Sequence, residues 1–248
     1  MRTSNPALPS NIFSGFGRVN QVSDTMTMQG VVYKTLLLLL FVLLSGGFVW
    51  NKFMHAGNNA AAVSGWITVG ALGGFIVALA TTFKPTWSPI TAPIYAVLEG
   101  LFIGGISAMF EANYPGIVLQ AACLTLTTMT AMLIAYQTGL IPVTQQFRMG
   151  VVAATGGIAI FYVIAMLLGF FGIQIPYLFS NGIIGIGFNL FVVAIAALNF
   201  VLDFDFIYQG ERVGAPKYME WYSSFALMVT LIWLYIEFLR LLSKFRER

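Results

Sequence analysis

Seven stretches of this chain are apolar for about 20 residues each, the length a helix needs to cross the hydrocarbon of a bilayer. They run roughly Val31–Trp50, Ala61–Phe83, Pro89–Phe110, Gly116–Tyr136, Gly150–Phe171, Gly182–Leu202 and Trp221–Leu242. Within lipid every backbone N–H and C=O must find a partner inside the protein, which leaves only helices or closed barrels. The runs lack the alternation of a barrel strand. The expected fold is therefore an all-α membrane protein, a seven-transmembrane-helix bundle. Composition agrees, because 58% of residues are hydrophobic and 8% charged, against about 25% charged in soluble domains.

The joints between runs are short and rich in turn residues, as at Lys84-Pro85-Thr86 and Asn113-Tyr114-Pro115. The longest and most charged is expected at Asp203–Glu220. No linker divides the chain, so one bundle over residues 31–242 is expected, with a polar segment at 1–30 and a basic tail at 243–248. The first apolar run begins late for a cleaved signal peptide and is read as a retained span. The formal charge of +3 forms no basic stripe, which argues against a nucleic-acid partner. A lone cysteine, Cys123, and a lone histidine, His55, supply neither a disulfide nor a metal cluster. Cys123 reads as a packing residue. No nucleophile and base stand at a catalytic spacing, so the chain is not expected to be an enzyme, and no cofactor is expected.

Against this background five acids stand out: Glu99, Glu111, Asp203, Asp205 and Glu237. A carboxylate facing acyl chains costs roughly 2.5–3.5 kcal/mol on insertion scales. Such groups persist where they meet protein, water or a cation, and they point to handling a proton or a cation. Glu99 is the deepest by sequence, with no base in its own span. Glu237 and Arg240 are three residues apart and can pair on one helix. Glu111 falls at a membrane boundary.

Two polar seams end the chain. The sixth run carries Asn189, Val192, Ala196, Asn199 and Asp203 at steps of three and four, which puts them on one face. Phe188, Phe191, Ile195 and Leu198 are left for lipid. The seventh repeats the rhythm with Glu220, Ser223, Leu227, Thr230, Leu234 and Glu237. Two such helices joined by one loop are expected to pack seam to seam. Asp203 and Asp205 point about 200° apart on a continuous helix. Asp203 continues the seam and is expected to be buried, whereas Asp205 is expected to meet water or a loop cation, Arg212 or Lys217. Glycines at close-approach spacing (Gly100 with Gly104, Gly70 with Gly73 and Gly74, Gly156 with Gly157) are expected to pack helices together.

Seven spans place the termini on opposite sides. Loop cations favour a cytoplasmic N-terminus, while the cationic tail favours a last segment that dips and returns.

The chain resembles the Bax inhibitor-like, or transmembrane Bax inhibitor motif, family, and its polar prefix is similar to a bacterial branch. The resemblance covers roughly Lys34 to Leu242. It rests on Pro93-Ile94-Tyr95-Ala96-Val97-Leu98-Glu99-Gly100-Leu101-Phe102-Ile103-Gly104 and on Val118-Leu119-Gln120-Ala121. It also rests on Leu202-Asp203-Phe204-Asp205-Phe206-Ile207 and on Leu234-Tyr235-Ile236-Glu237-Phe238-Leu239-Arg240-Leu241-Leu242. The prefix is Ser4-Asn5-Pro6-Ala7-Leu8 with Phe13-Ser14-Gly15-Phe16.

The resemblance implies six helices around a central seventh. It also implies a pH-sensitive calcium leak gated by two aspartates from the last two spans. The first maps onto Asp203. At the second, this chain has Thr230, so the carboxylate that partners Asp203 is open between Asp205 and Glu220. Glu99 maps onto an acidic position of the family.

The expected activity is therefore a cation leak, Ca²⁺ foremost as permeant or bound ion. Asp203, Asp205 and Glu220 form the proton-sensing gate, and Glu99, Asn199, Thr230 and Glu237 line the route. The alternative is a regulator that conducts nothing and binds another membrane protein, such as a protease or a cell-death factor. Oligomeric state is not written in the sequence.

Overall fold

The computed structural model describes residues 25–172 and 182–247. The prefix that carries part of the family resemblance, and the Ile175 to Asn181 joint, lie outside them. The described residues form α1 (Met28–His55), α2 (Ala61–Phe83), a 3₁₀ turn (Pro85–Trp87) and α3 (Ser88–Asn113). They continue with α4 (Ile117–Gln137), α5 (Gln145–Phe170), α6 (Ile183–Arg212) and α7 (Met219–Arg246). All seven α-helices are long and apolar enough to cross a membrane.

The helices outrun the apolar stretches because their polar ends find partners. Thr27 caps α1, its hydroxyl accepting from the Gly30 N–H at 3.0 Å. The joint expected at Asp203–Glu220 shrinks to six residues, Val213–Tyr218, because α6 continues to Arg212. That extension buries Phe206 and Ile207 against the core. The basic tail, expected to start at 243, is helical as far as Arg246.

The last helix is the central one. Of its apolar window 61% is buried, against 11% for α5, and it packs on α1, α3, α4 and α6. It runs 28 residues without a break, about 42 Å at 1.5 Å per residue, long enough to cross a membrane as one helix. One end of the bundle gathers the start of α1, the end of α6 and the start of α7. There the Met26 N–H donates to the Ala215 carbonyl at 2.7 Å. At the opposite end Arg246 donates to the Pro115 carbonyl at 2.7 Å.

Glycine sets the tightest crossing. A Cβ on Gly104 of α3 would lie 2.3 Å from the Gly46 carbonyl oxygen of α1, closer than any side chain can sit. Gly70 of α2 meets the Leu98 carbonyl of α3 in the same way, at 2.6 Å. In lipid, where apolar surface gains nothing by hiding from its neighbours, this close backbone contact is what holds α1, α2 and α3 together. The Gly156–Gly157 pair of α5, also expected to pack, has nothing within 4 Å of either built Cβ. Cys123, expected to fill a packing position, is exposed on α4.

Candidate functional site

Both polar seams are buried. On α6, Asn189, Val192, Ala196, Asn199 and Asp203 are all at most 3% exposed, and on α7 the stripe from Glu220 to Glu237 is at most 7% exposed. They meet at Asp203, whose Oδ2 accepts from the Thr230 hydroxyl at 2.6 Å. Asp203 lies nine residues before the end of α6, roughly 14 Å along the axis, directly after the apolar run that ends at Leu202. The expected lipid face of α6 is largely corrected. Ile195 is buried with Ile158 of α5 and Val192, and Phe188 and Leu198 pack on the same cluster, because α5 covers that flank, so of the four only Phe191 is exposed.

Asp205 points the other way from a continuous helix, as its spacing requires. It meets neither Arg212 nor Lys217. Arg148, at the start of α5, forms a salt bridge with it. Gln209 donates to it at 2.6 Å, and the Tyr136 hydroxyl of α4 approaches at 3.4 Å. Asp205 therefore ties α4 and α5 to α6. The reason is geometric: α6 stays helical past Leu202, so Asp205 faces the neighbouring helices and not the following loop.

Glu220 does not complete a carboxylate pair with Asp203. It sits ten residues before Thr230, about 15 Å along α7. It is fully buried between Lys34 of α1 and Lys217, the latter 2.8 Å away. The Thr27 N–H and hydroxyl donate to it at 2.9 and 3.0 Å. Glu211 takes the neighbouring Met28 N–H at 2.8 Å. Two carboxylates thus occupy the N-terminus of α1, where unpaired N–H groups and the helix dipole favour negative charge. This is a clasp between the chain entering α1 and the α6–α7 joint.

Glu237 sits at the other end of the seam, 1% exposed. Arg240, the Tyr162 hydroxyl of α5 and the Asn189 amide of α6 each donate to it at 3.1 Å. Lys244 lies beyond, donating to the Asn189 side-chain oxygen at 2.5 Å and to the Gly185 carbonyl at 3.2 Å. Arg240 also stacks over the Tyr162 ring. A cavity of about 460 Å³ opens beside this cluster, bounded by Tyr162, Ala165 and Met166 on α5 and by Trp233, Ile236, Glu237 and Arg240 on α7. Between the two ends, Asn199 donates to the Thr155 hydroxyl of α5 at 2.8 Å.

Glu99 lies apart from these contacts. It leans on Gly74 of α2, where a Cβ would come within 3.2 Å of its carboxylate. It also interacts with Tyr95 one turn earlier. Its Oε2 is buried without a hydrogen-bond partner. Glu111 is structural, accepting from the Gly116 and Val118 N–H groups at 2.5 and 3.1 Å where α4 begins. A second cavity of about 440 Å³, between α1, α3, α4 and α7, is apolar apart from Ser107, Thr125 and Tyr235 and carries no acid. Among the described residues no three of His, Cys, Asp and Glu cluster as metal ligands.

The seams bring together Asp203 with Thr230, and Asn189 with Glu237. Asp205, Glu220 and Glu99 each go elsewhere. The partners that sequence reasoning passed over are cations and hydroxyls: Lys34, Arg148, Thr155, Tyr162 and Lys244. A signal existed for three of them, because Arg148, Thr155 and Tyr162 stand seven residues apart on one face of α5.

No curated protein and no solved structure matches the chain. A protein-family model, Bax inhibitor 1 like, matches residues 5–247, nearly the whole chain. Its span takes in both seams, the α1 clasp and every acidic group described above, and the chain belongs to the Bax inhibitor 1 like family.

Proposed function

We propose that this protein is a pH-sensitive cation leak of the membrane, with Ca²⁺ the favoured ion and Asp203 the proton-sensitive gate. The observation that carries this reading is the placement of Asp203: 1% exposed, on a polar seam between α6 and the central helix. A carboxylate at such depth is costly unless it serves a polar route. Oxygen ligands suit Ca²⁺, and acidic linings suit cations. The seam is closed in this conformation by Val192, Ala196, Leu227 and Leu234, all buried.

The resemblance implies a shared proton between two aspartates. Here the Thr230 hydroxyl stands at the second position and donates to Asp203. Protonation removes the charge that a cation would meet, and ionisation restores it. Glu99, Asn199, Thr230 and Glu237 remain candidate lining groups. Asp205 and Glu220 act as ties that hold the helix ends. The setting of this reading is a cell membrane, bacterial in kind, with the N-terminus on the cytoplasmic side.

The test is cation flux into liposomes across pH, with wild type beside Asp203→Asn and Glu99→Gln. The reading expects flux that depends on pH in wild type and a changed profile in Asp203→Asn. Absence of flux in wild type at every pH overturns it.

A second reading has its own support. Asp205, Glu220 and Glu237 are each paired with a lysine or arginine, as in a rigid scaffold that binds another membrane protein. Deleting Met1–Asp24, which spares the Thr27 clasp, would then abolish activity in cells while leaving flux unchanged.

A further inference from the structure

We infer that α5 is the moving wall of this bundle, a strap that lies over one flank of α6 at the edge of its polar seam and swings away to uncover it. The inference rests on how α5 is attached. Among the described elements it packs closely on α6 alone, and it shares no residue with the two large cores around α7. Its inward stripe is Arg148, Val151, Thr155, Ile158 and Tyr162, spaced three and four, the rhythm of a coiled-coil seam. Three of those five positions are polar.

Each polar position clips to an acid or amide of α6 or α7. Arg148 holds Asp205, Thr155 receives from Asn199 at 2.8 Å, and Tyr162 donates to Glu237 at 3.1 Å. Between the clips, Ile158 joins Val192 and Ile195 in a small separate core, and the Phe161 ring meets Phe188 edge-on, with centroids 5.2 Å apart. Glycine contacts of the kind that lock α1 to α3 are missing, since Gly150, Gly156, Gly157 and Gly169 have open space at the built Cβ.

At one end the fit between α5 and α7 is loose. A cavity of about 460 Å³ opens between Ala165 and Met166 of α5 and Trp233 and Ile236 of α7, beside the contact of Tyr162 with Glu237 and Arg240. Polar contacts between membrane helices are individually weak, because a helix that lets go finds other partners. An element held by spaced polar clips therefore has two accessible positions, and an element locked backbone to backbone has one. When α5 swings out, Asn199 and Glu237 lose their covers together, and the tie from Arg148 to Asp205 is released. This deepens the permeation reading by naming the element that opens the route, and it rests on that reading for its consequence in flux.

The experiment uses the full chain with Cys123→Ala. In one variant, Ile158→Cys and Ile195→Cys are joined by a short reducible bis-thiol linker in the folded protein. The same sample is assayed for liposome flux before linking, after linking, and after reduction. In a second variant, Ile160→Cys and Leu119→Cys carry spin labels on the outer surfaces of α5 and α4. A control pair, Leu43→Cys with Leu72→Cys, reports on α1 and α2. Distances are measured from acidic to neutral pH, with and without Ca²⁺.

Linking is expected to drop flux to background and reduction to restore it. The α5 pair is expected to shift by several ångströms between conditions while the control pair stays fixed. Full flux in the linked form, or an α5 distance that never changes, overturns the inference. Absence of flux in every form sinks the permeation reading instead, and the α5 distances then decide this inference on their own.

Discussion

Thr230 of the central helix donates a hydrogen bond from its hydroxyl to Asp203 of α6 across 2.6 Å, and both residues are buried. Thr230→Val keeps the shape and removes the donor. A hydrogen bond to a charged group contributes about 1.5–3 kcal/mol, so unfolding in detergent is expected at lower denaturant. The pH profile of flux is expected to shift as well. Thr230→Ser, which keeps a hydroxyl, is expected to restore both. An unchanged profile in Thr230→Val would remove Thr230 from the gate.

Glu220 is expected to behave as a structural tie. Glu220→Gln leaves Lys34 and Lys217 without their counter-charge at the entry to α1. Breaking a buried pair costs about 3–5 kcal/mol. The loss here is expected at or below the low end, because Lys217 is half exposed. Denaturant melting checks the loss. The pH midpoint of any flux is expected to stay that of wild type, and a moved midpoint would return Glu220 to the gate.

Gly104→Val drives a side chain into the α1 backbone, since even a Cβ would sit 2.3 Å from the Gly46 oxygen. The variant is expected to express poorly or melt early, by about 1–3 kcal/mol or more, the cost of overpacking. Gly157→Ala is the matched control. Its Cβ meets nothing, so it is expected to be neutral or slightly stabilising through helix propensity. Thermal stability in detergent reads both.

Glu99→Gln separates lining from support. Oε2 of Glu99 makes no hydrogen bond, and an amide fills the same space between Gly74 and Tyr95. Stability is expected to stay close to that of wild type, because the group replaced is unpaired in either form. Liposome flux is expected to fall if the residue lines the route. Wild-type flux together with wild-type stability would assign Glu99 to neither task.

Much of the fold was legible because lipid leaves so few choices. A run such as Val31–Trp50 can only be a spanning helix, whatever its neighbours do. The seams were legible for the same reason, since period alone puts Asn189, Asn199 and Asp203 on one face and opposes Asp205 to Asp203. Legibility ended at pairing. Asp205 looked ready for a cation in the next loop, yet α6 continued as helix and turned it towards Arg148, 57 residues earlier. Glu220 looked close enough to serve Asp203, yet Lys34, 186 residues away in sequence, claimed it. The Gly156–Gly157 pair looked like Gly100 and Gly104 on paper and met nothing.

What the sequence determined by itself is periodic and local: seven helices, their polar faces, and the acids that lipid could not tolerate outside. These follow from hydrogen-bond closure in hydrocarbon and from the 3.6-residue turn, which act within one segment. Only the tertiary structure decided which cation neutralises which acid and that α5 lies over the α6 seam on spaced polar clips. Those outcomes depend on the distance between helices far apart in the chain, which glycine-sized backbone contacts fix in some places and leave open in others.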